Sequence, residues 1–226
     1  MKFEIFNSDL NEIIVFFNGF ALDANPFWFL QNQNKAILQI SSYNDLKFNF
    51  IDEILINYNK KYLISYSLGV FVAAYYLLNR KFDFEKIIAI NGTLKPIDEK
   101  FGINLKMFDL TIKLFDNIGN EKFYRNMFDN EVEYNEFMIR QPFGDALQRK
   151  EELIFLKNLI LSKDLAEMKK NFNLAEMKKN FNQVYISKND RIMPYKSQKL
   201  YWEGANVIEL EAGHFPFYKY KNIFDV

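Results

Sequence analysis

At 226 residues, 49% hydrophobic and 18% aromatic, the chain is long enough for one domain with a full core plus an insertion, but not for a second independent domain. Its 29 basic and 29 acidic side chains cancel, which leaves no electrostatic footprint for nucleic acid or an anionic membrane. With no cysteine and one histidine, disulfides, thiolate catalysis and Cys-rich or His-rich metal sites are excluded, so neither a metal nor a cofactor is implied.

The N-terminal segment Met1 to Asp9 is interrupted by acids and polar groups and lacks a small-residue cleavage site. It does not read as a secretory signal, and a soluble, cytoplasmic protein is expected. Ile13 to Phe17 and Ala36 to Ile40 are continuous apolar runs ending at Asn18-Gly19 and Ser41-Ser42, the pattern of buried parallel strands. From Asp45 to Tyr58, Leu46, Phe50, Ile54 and Leu55 fall at helical spacing with Asp45 as N-cap. Tyr62 to Tyr66 predicts a strand leading through Ser67 into a nearly all-apolar, buried helix from Leu68 to Leu78. Lys86 to Ile90 predicts the next strand, stopped by Asn91-Gly92.

Residues 104–162 carry no strand signal and contain amphipathic helical segments, including Met107-Phe108, Ile112 and Phe115, then Leu153, Leu156 and Ile160. The segment reads as a helical lid inserted into a core formed by residues 1–103 and 163–226. Gln183 to Ser187 resumes the sheet, Pro194 to Trp202 reads as a helix with proline in its first turn, and Asn206 to Leu210 is the last strand. Alternating strands and helices predict an α/β fold, a mostly parallel sheet with helices on both faces. Within residues 165–182, the nine residues Leu165 to Asn173 recur unchanged as Leu174 to Asn182. Nine residues turn a helix by about two and a half turns, so in one straight helix the two apolar faces would oppose each other. The repeat reads as a near-surface extension of the helix leaving the lid, with a dimerisation helix as the second reading.

Three residues carry the chemistry. Ser67 lies between a strand and a helix, Asp190 follows a strand, and His214, the only imidazole, follows the next. Serine, acid and histidine in that chain order is the α/β-hydrolase triad order, and all three would emerge at the carboxyl edge of the sheet. A serine nucleophile needs a base, the base needs an orienting acceptor, and the oxyanion needs backbone N–H donors. Leu68 N–H, at the start of the helix, is the first donor. The second would be Phe20 N–H, on the turn permitted by Gly19. Taken singly, each residue has an ordinary explanation: an N-cap for Ser67, an Asx-turn for Asp190, a polar loop residue for His214. Order and spacing together carry the assignment. Asp98 is the alternative acid, and Asp23 more simply ties down the oxyanion turn.

The residues resemble the compact pimeloyl-[acyl-carrier protein] methyl ester esterases of biotin synthesis. The likeness lies in Phe16-Phe17-Asn18-Gly19-Phe20-Ala21-Leu22-Asp23, in Ser65-Tyr66-Ser67-Leu68-Gly69-Val70 and in Ala89-Ile90-Asn91-Gly92-Thr93 with Pro96-Ile97-Asp98. It continues in Phe123-Tyr124-Arg125-Asn126-Met127 and Gly213-His214-Phe215-Pro216-Phe217. Asn18 and Ser65 stand where the family has glycine. The resemblance implies an α/β-hydrolase fold, release of methanol from a pimeloyl methyl ester, and an acyl-carrier protein as partner; the oligomeric state is left open by the sequence, with a monomer favoured. The ester would reach Ser67 between sheet and lid, with Phe123, Tyr124, Phe128 and Phe143, together with Phe108 and Phe115, as the lining. Arg125, Arg140 and Arg149 would form the docking edge for the acidic carrier. The alternatives are another small ester or thioester as substrate, or a non-catalytic binding protein.

Overall fold

The computed structural model of the chain describes residues 1–78, 83–162 and 174–226. Seven strands form one sheet in the order β1-β3-β2-β4-β5-β6-β7. They are β1 (Lys2–Phe6), β2 (Glu12–Phe17), β3 (Ala36–Ser41), β4 (Lys60–Tyr66), β5 (Lys86–Ile90), β6 (Gln183–Ser187) and β7 (Val207–Leu210). Strands β2 to β7 pair in parallel, and β1 runs antiparallel along β3 from Lys2 opposite Ser41 to Phe6 opposite Ile37. The central strands are the continuous apolar runs, as expected where a parallel sheet is covered on both faces. Alternation divides them between two cores: Ile88 and Ile90 join the larger cluster, and Ala89 joins a smaller one with Val184, Ile186 and Trp202.

Helix α1 (Asn49–Leu55) is shorter than its apolar spacing predicts. Asp45 does not cap it; its carboxylate accepts the Lys47 N–H at 3.1 Å and pairs with the N-terminal amine at 3.2 Å. A local Asx-turn satisfies the aspartate before the helix begins. Helix α2 (Leu68–Leu77) follows β4 directly and is buried from Leu68 through Ala74.

Between β5 and β6 lie α3 (Leu105–Leu114), α4 (Asn117–Asn126), α5 (Glu131–Ile139) and α6 (Ala146–Leu161). Each opens on a side-chain cap: Asn104 to Lys106 N, Asp116 to Gly119 N, Asn130 to Glu133 N and Asp145 to Gln148 N. Such caps satisfy donors the helix itself leaves open. The first repeat copy lies outside the described residues. The second begins with α7 (Leu174–Lys179). Met177 and Phe181 are buried in the smaller core, Phe181 packs against Trp202 at 5.4 Å, and Asn182 exchanges two hydrogen bonds with the Ile87 backbone. Its apolar face is therefore used as core. Helix α8 (Tyr195–Tyr201) precedes β7. Among the described residues, no helix is long and apolar enough to cross a membrane.

Candidate active site

Ser67 occupies a sharp turn between β4 and α2, at φ 55 and ψ −127. A non-glycine residue avoids this region unless its surroundings enforce it. Here the neighbours are small by necessity. A Cβ on Gly69 would stand 2.3 Å from Asn18 O, and one on Gly92 would stand 2.3 Å from Ser67 O. Ser65, buried two residues before Ser67, satisfies its hydroxyl by donating to Ile88 O at 2.9 Å.

The structure brings the three sequence-predicted residues together. His214 Nε2 lies 2.9 Å from Ser67 Oγ, and its Nδ1 lies 2.7 Å from Asp190 Oδ2. All three are buried. Asp190 also makes the ordinary Asx-turn: its Oδ1 accepts the Ile192 and Met193 N–H groups, each at 2.8 Å, while Gln198 Nε2 donates to Oδ2 at 3.0 Å. The turn and Gln198 orient the carboxylate, which orients the imidazole. With Nδ1 protonated toward Asp190, Nε2 is free to accept from the serine hydroxyl, the arrangement that activates an oxygen nucleophile. Asp98 takes no part; it accepts the Lys100 and Phe101 N–H groups in a turn of its own. The Tyr66 ring packs 5.0 Å from the imidazole, and burial together with the nearby Asp190 charge holds its phenol well above the usual range and hence neutral.

Two supporting amides escaped the sequence reading. Gln198 is one. Asn91, at φ 48 after β5, is the other: its Nδ2 donates to Ser187 Oγ at 2.9 Å and to His214 O at 2.6 Å, and its Oδ1 accepts the Ser187 N–H at 2.7 Å. It joins the ends of β5 and β6 to the histidine loop. An asparagine after a strand reads as a turn, and only the tertiary structure gives it these partners.

Ser67 opens on a cavity of about 280 Å³ whose wall includes Phe20, Leu68, Phe108, Phe115 and Phe123 from the predicted set, with Met107, Leu110 and Leu153. The remaining predicted lining residues face elsewhere. Tyr124 is fully buried against Phe137 and donates its hydroxyl to Ala21 O at 2.8 Å. One helical step turns a side chain by about 100°, so Phe123 and Tyr124 cannot share a face. Phe128 packs into the core on Phe137 and Phe215, whereas Phe143 is 79% exposed.

The predicted basic edge also divides. Arg149 is buried, donating to Pro142 O at 2.9 Å, Phe143 O at 2.7 Å and Asn120 Oδ1 at 3.0 Å, so it braces the insertion and is not available for docking. Arg125 pairs with Glu131 and stacks on Tyr134, and Arg140 lies exposed over the Trp28 ring. Lys122 and Arg191, which the sequence did not single out, are the cations on the Ser67 cavity wall. Asp23 ties down the turn after β2 as expected, accepting the Asn25 N–H at 2.9 Å, and also links it to the insertion through the Phe143 N–H at 2.6 Å.

A family model described as pimeloyl-ACP methyl esterase BioG matches residues 1–224. A malonyl-[acyl-carrier protein] O-methyltransferase of Bacteroides fragilis is 27% identical over 192 residues, which make up 85% of this chain and 36% of that protein. The chain thus spans about a third of that relative's length. The crystal structure of BioG from Haemophilus influenzae superposes with a TM-score of 0.82 at 24% identity, covering 97% of this chain and 96% of that one. An esterase from Exiguobacterium antarcticum has a TM-score of 0.70 at 17% identity, over 98% and 91% of the two chains. In fold, the chain is an α/β-hydrolase.

Proposed function

The chain belongs to the BioG family of pimeloyl-ACP methyl esterases, and from that premise we propose that Ser67, His214 and Asp190 hydrolyse the methyl ester of a pimeloyl chain carried by acyl-carrier protein in the cytoplasm. One observation carries this reading: a continuous Asp190–His214–Ser67 hydrogen-bonded relay at the wall of an apolar cavity. Ser67 Oγ attacks the ester carbonyl while His214 Nε2 takes its proton. The tetrahedral oxyanion is held by the Leu68 and Phe20 N–H groups, the former with the help of the α2 dipole. His214 then gives the proton to departing methanol. Water, activated by the same nitrogen, cleaves the acyl-enzyme and leaves a free carboxylate on the carrier-bound chain. Asp190 keeps the imidazole in one tautomer throughout.

Residues 104–162 act in this reading as the lid over the sheet. The apolar wall accepts the methylene chain, and Lys122 and Arg191 offer positive charge to the acidic carrier or its phosphopantetheine. The name of the Bacteroides fragilis relative adds support, since methyl transfer to an acyl-carrier protein substrate makes the class of ester that this reaction removes.

Two measurements test the proposal. A fluorophosphonate should label the native chain and leave Ser67→Ala unlabelled; equal labelling of both would refute the serine mechanism. Specificity constants for the pimeloyl-carrier methyl ester and for short p-nitrophenyl esters then address the substrate. A preference for the short esters would refute the carrier-linked assignment.

A further inference from the structure

The wall of the Ser67 cavity is one-sided in charge. It holds two cations, Lys122 and Arg191, and among the described residues no aspartate or glutamate. Elsewhere in the insertion Arg125 pairs with Glu131, Lys157 pairs with Asp109 at 2.6 Å, and Arg149 donates to two carbonyl oxygens. Lys122 and Arg191 are both exposed, and neither has an acid partner among the described residues. They reach the cavity from different elements: Lys122 from α4 of the insertion, Arg191 from the loop after β6, one residue past Asp190. Asn126, a third polar member of the wall, lies one turn beyond Lys122 on the same face of α4. Apart from Ser67, the other hydroxyl on the wall is that of Thr111, which donates to Met107 O at 3.0 Å within its own helix.

At about 280 Å³ the cavity falls below the roughly 300–1,000 Å³ of a site for a drug-sized ligand, so it suits a short acyl chain and has no room for a pantetheine arm as well. We infer that Lys122, Asn126 and Arg191 form a subsite for a carboxylate at the far end of that acyl chain, and that half methyl esters of free dicarboxylic acids are a further substrate class. The inference rests on the ester hydrolysis proposed above. A carboxylate entering an apolar cavity without partners loses its hydration and gains nothing in return. Two unpaired cations reverse that balance: a guanidinium can meet both carboxylate oxygens, while an ammonium adds a point charge. The reaction needs no co-reactant beyond water. Ser67 Oγ bonds to the ester carbon, the bond to the methoxy oxygen breaks, and methanol leaves with the proton that His214 carries. Water then releases the acyl group, giving a dicarboxylate and one proton.

Monomethyl pimelate and methyl heptanoate separate charge from chain, because they share chain length and ester and differ only in carboxylate against methyl at the far end. A wall acting through its apolar surface alone favours methyl heptanoate. The full chain is instead expected to show a kcat/KM for monomethyl pimelate about tenfold higher at low ionic strength, expressed mainly in KM. That preference should shrink toward parity in about 0.5 M salt, since exposed charges are screened. In the double variant Lys122→Met with Arg191→Met it should invert to favour methyl heptanoate; the ratio within one protein is the readout, so a general loss of turnover cancels. Pimelate should inhibit p-nitrophenyl butyrate hydrolysis about tenfold more tightly than heptanoate, and inorganic phosphate at the same concentration should not inhibit. Preference of the wild type for methyl heptanoate, an unchanged ratio in the double variant, or phosphate inhibition as strong as that by pimelate overturns the inference. If the double variant does not fold, a wild-type ratio indifferent to salt overturns it. A wild type inactive on p-nitrophenyl butyrate overturns the esterase reading and this inference with it, whereas an active wild type that prefers methyl heptanoate overturns this inference alone.

Discussion

Replacing Asn91 by alanine isolates what the buried amide contributes to the site. The change removes the hydrogen bonds to Ser187 Oγ, Ser187 N and His214 O, and Asn91 and Ser187 are both fully buried. The Ser187 N–H and His214 C=O each lose a partner, at about 1–3 kcal/mol per buried group. Alanine at φ 48 adds about 1 kcal/mol, because asparagine tolerates the left-handed region better. The sum, about 3–7 kcal/mol, is a large share of the roughly 5–15 kcal/mol that holds an average domain together. Asn91→Gly loses the same hydrogen bonds without the backbone strain, so it should retain about 1 kcal/mol more than alanine. Urea denaturation followed by tryptophan fluorescence measures both, because Trp202 is buried and donates to Gly92 O at 2.8 Å, one residue from the substitution. The midpoint should fall with an unchanged slope. An Asn91→Ala protein within about 1 kcal/mol of wild type would show that the amide does not bear this load, and the reasoning would fail.

Asp190→Asn should lower kcat on the order of 10⁴-fold by disturbing the imidazole tautomer, while Asp98→Asn stays within roughly twofold; steady-state ester hydrolysis distinguishes the two acids. Phe123→Trp should fill the cavity beside Ser67 and raise KM for octanoyl esters about tenfold over acetyl esters, since each methylene in an apolar pocket is worth about 1 kcal/mol. Equal effects on both ester lengths would place the acyl chain elsewhere. Gly92→Ala puts a Cβ 2.3 Å from Ser67 O and 2.7 Å from Val70 Cγ2, so a loss of about 2 kcal/mol or more should appear in the same urea titration. Glu152, in the middle of α6 and 3% exposed, also predicts a pH-dependent stability. Its folded value of about 7 lies above its ordinary 4.5, so between these the folded state keeps a proton that the unfolded state sheds. Its contribution is therefore present below about pH 4.5 and is lost as pH rises to about 7, by roughly 3 kcal/mol at most. Glu152→Gln should flatten that slope, and a parallel pH dependence in both proteins would contradict the assignment.

The strands legible in the sequence are the ones buried on both faces. Ile13 to Phe17 and Lys86 to Ile90 are continuous apolar runs, and β2 and β5 contain them with at most a one-residue extension. Strand β1 was not legible, because Lys-Phe-Glu-Ile-Phe is short and almost wholly exposed, and its place comes from pairing with β3. Ser67, Asp190 and His214 could be found because each lies within four residues of the end of a strand, and parallel strands bring such positions to one edge. Gln198 and Asn91 could not, since an amide's role depends on partners that no local spacing predicts. Arg149 misled for a related reason: a basic residue in a helical segment reads as surface charge, and only the fold supplies the two carbonyls and the Asn120 amide that bury it.

A single backbone device recurs at the carboxyl edge of the sheet and explains why the site tolerates so little change there. Ser42, Ser67 and Asn91 immediately follow β3, β4 and β5, and Ala21 lies in the turn after β2; all four have positive φ without being glycine. Glycine would take these turns with less strain, but it has no side chain to offer. At Ser67 the side chain is the proposed nucleophile, and at Asn91 it joins three elements around His214. Ala21 contributes no side-chain chemistry, so its turn has to be held from outside, by the Tyr124 hydroxyl donating to Ala21 O at 2.8 Å. That restraint comes from the helical insertion, on α4. The insertion therefore does more than line the cavity: it carries a group that holds the turn after β2 in a conformation the core alone would not favour.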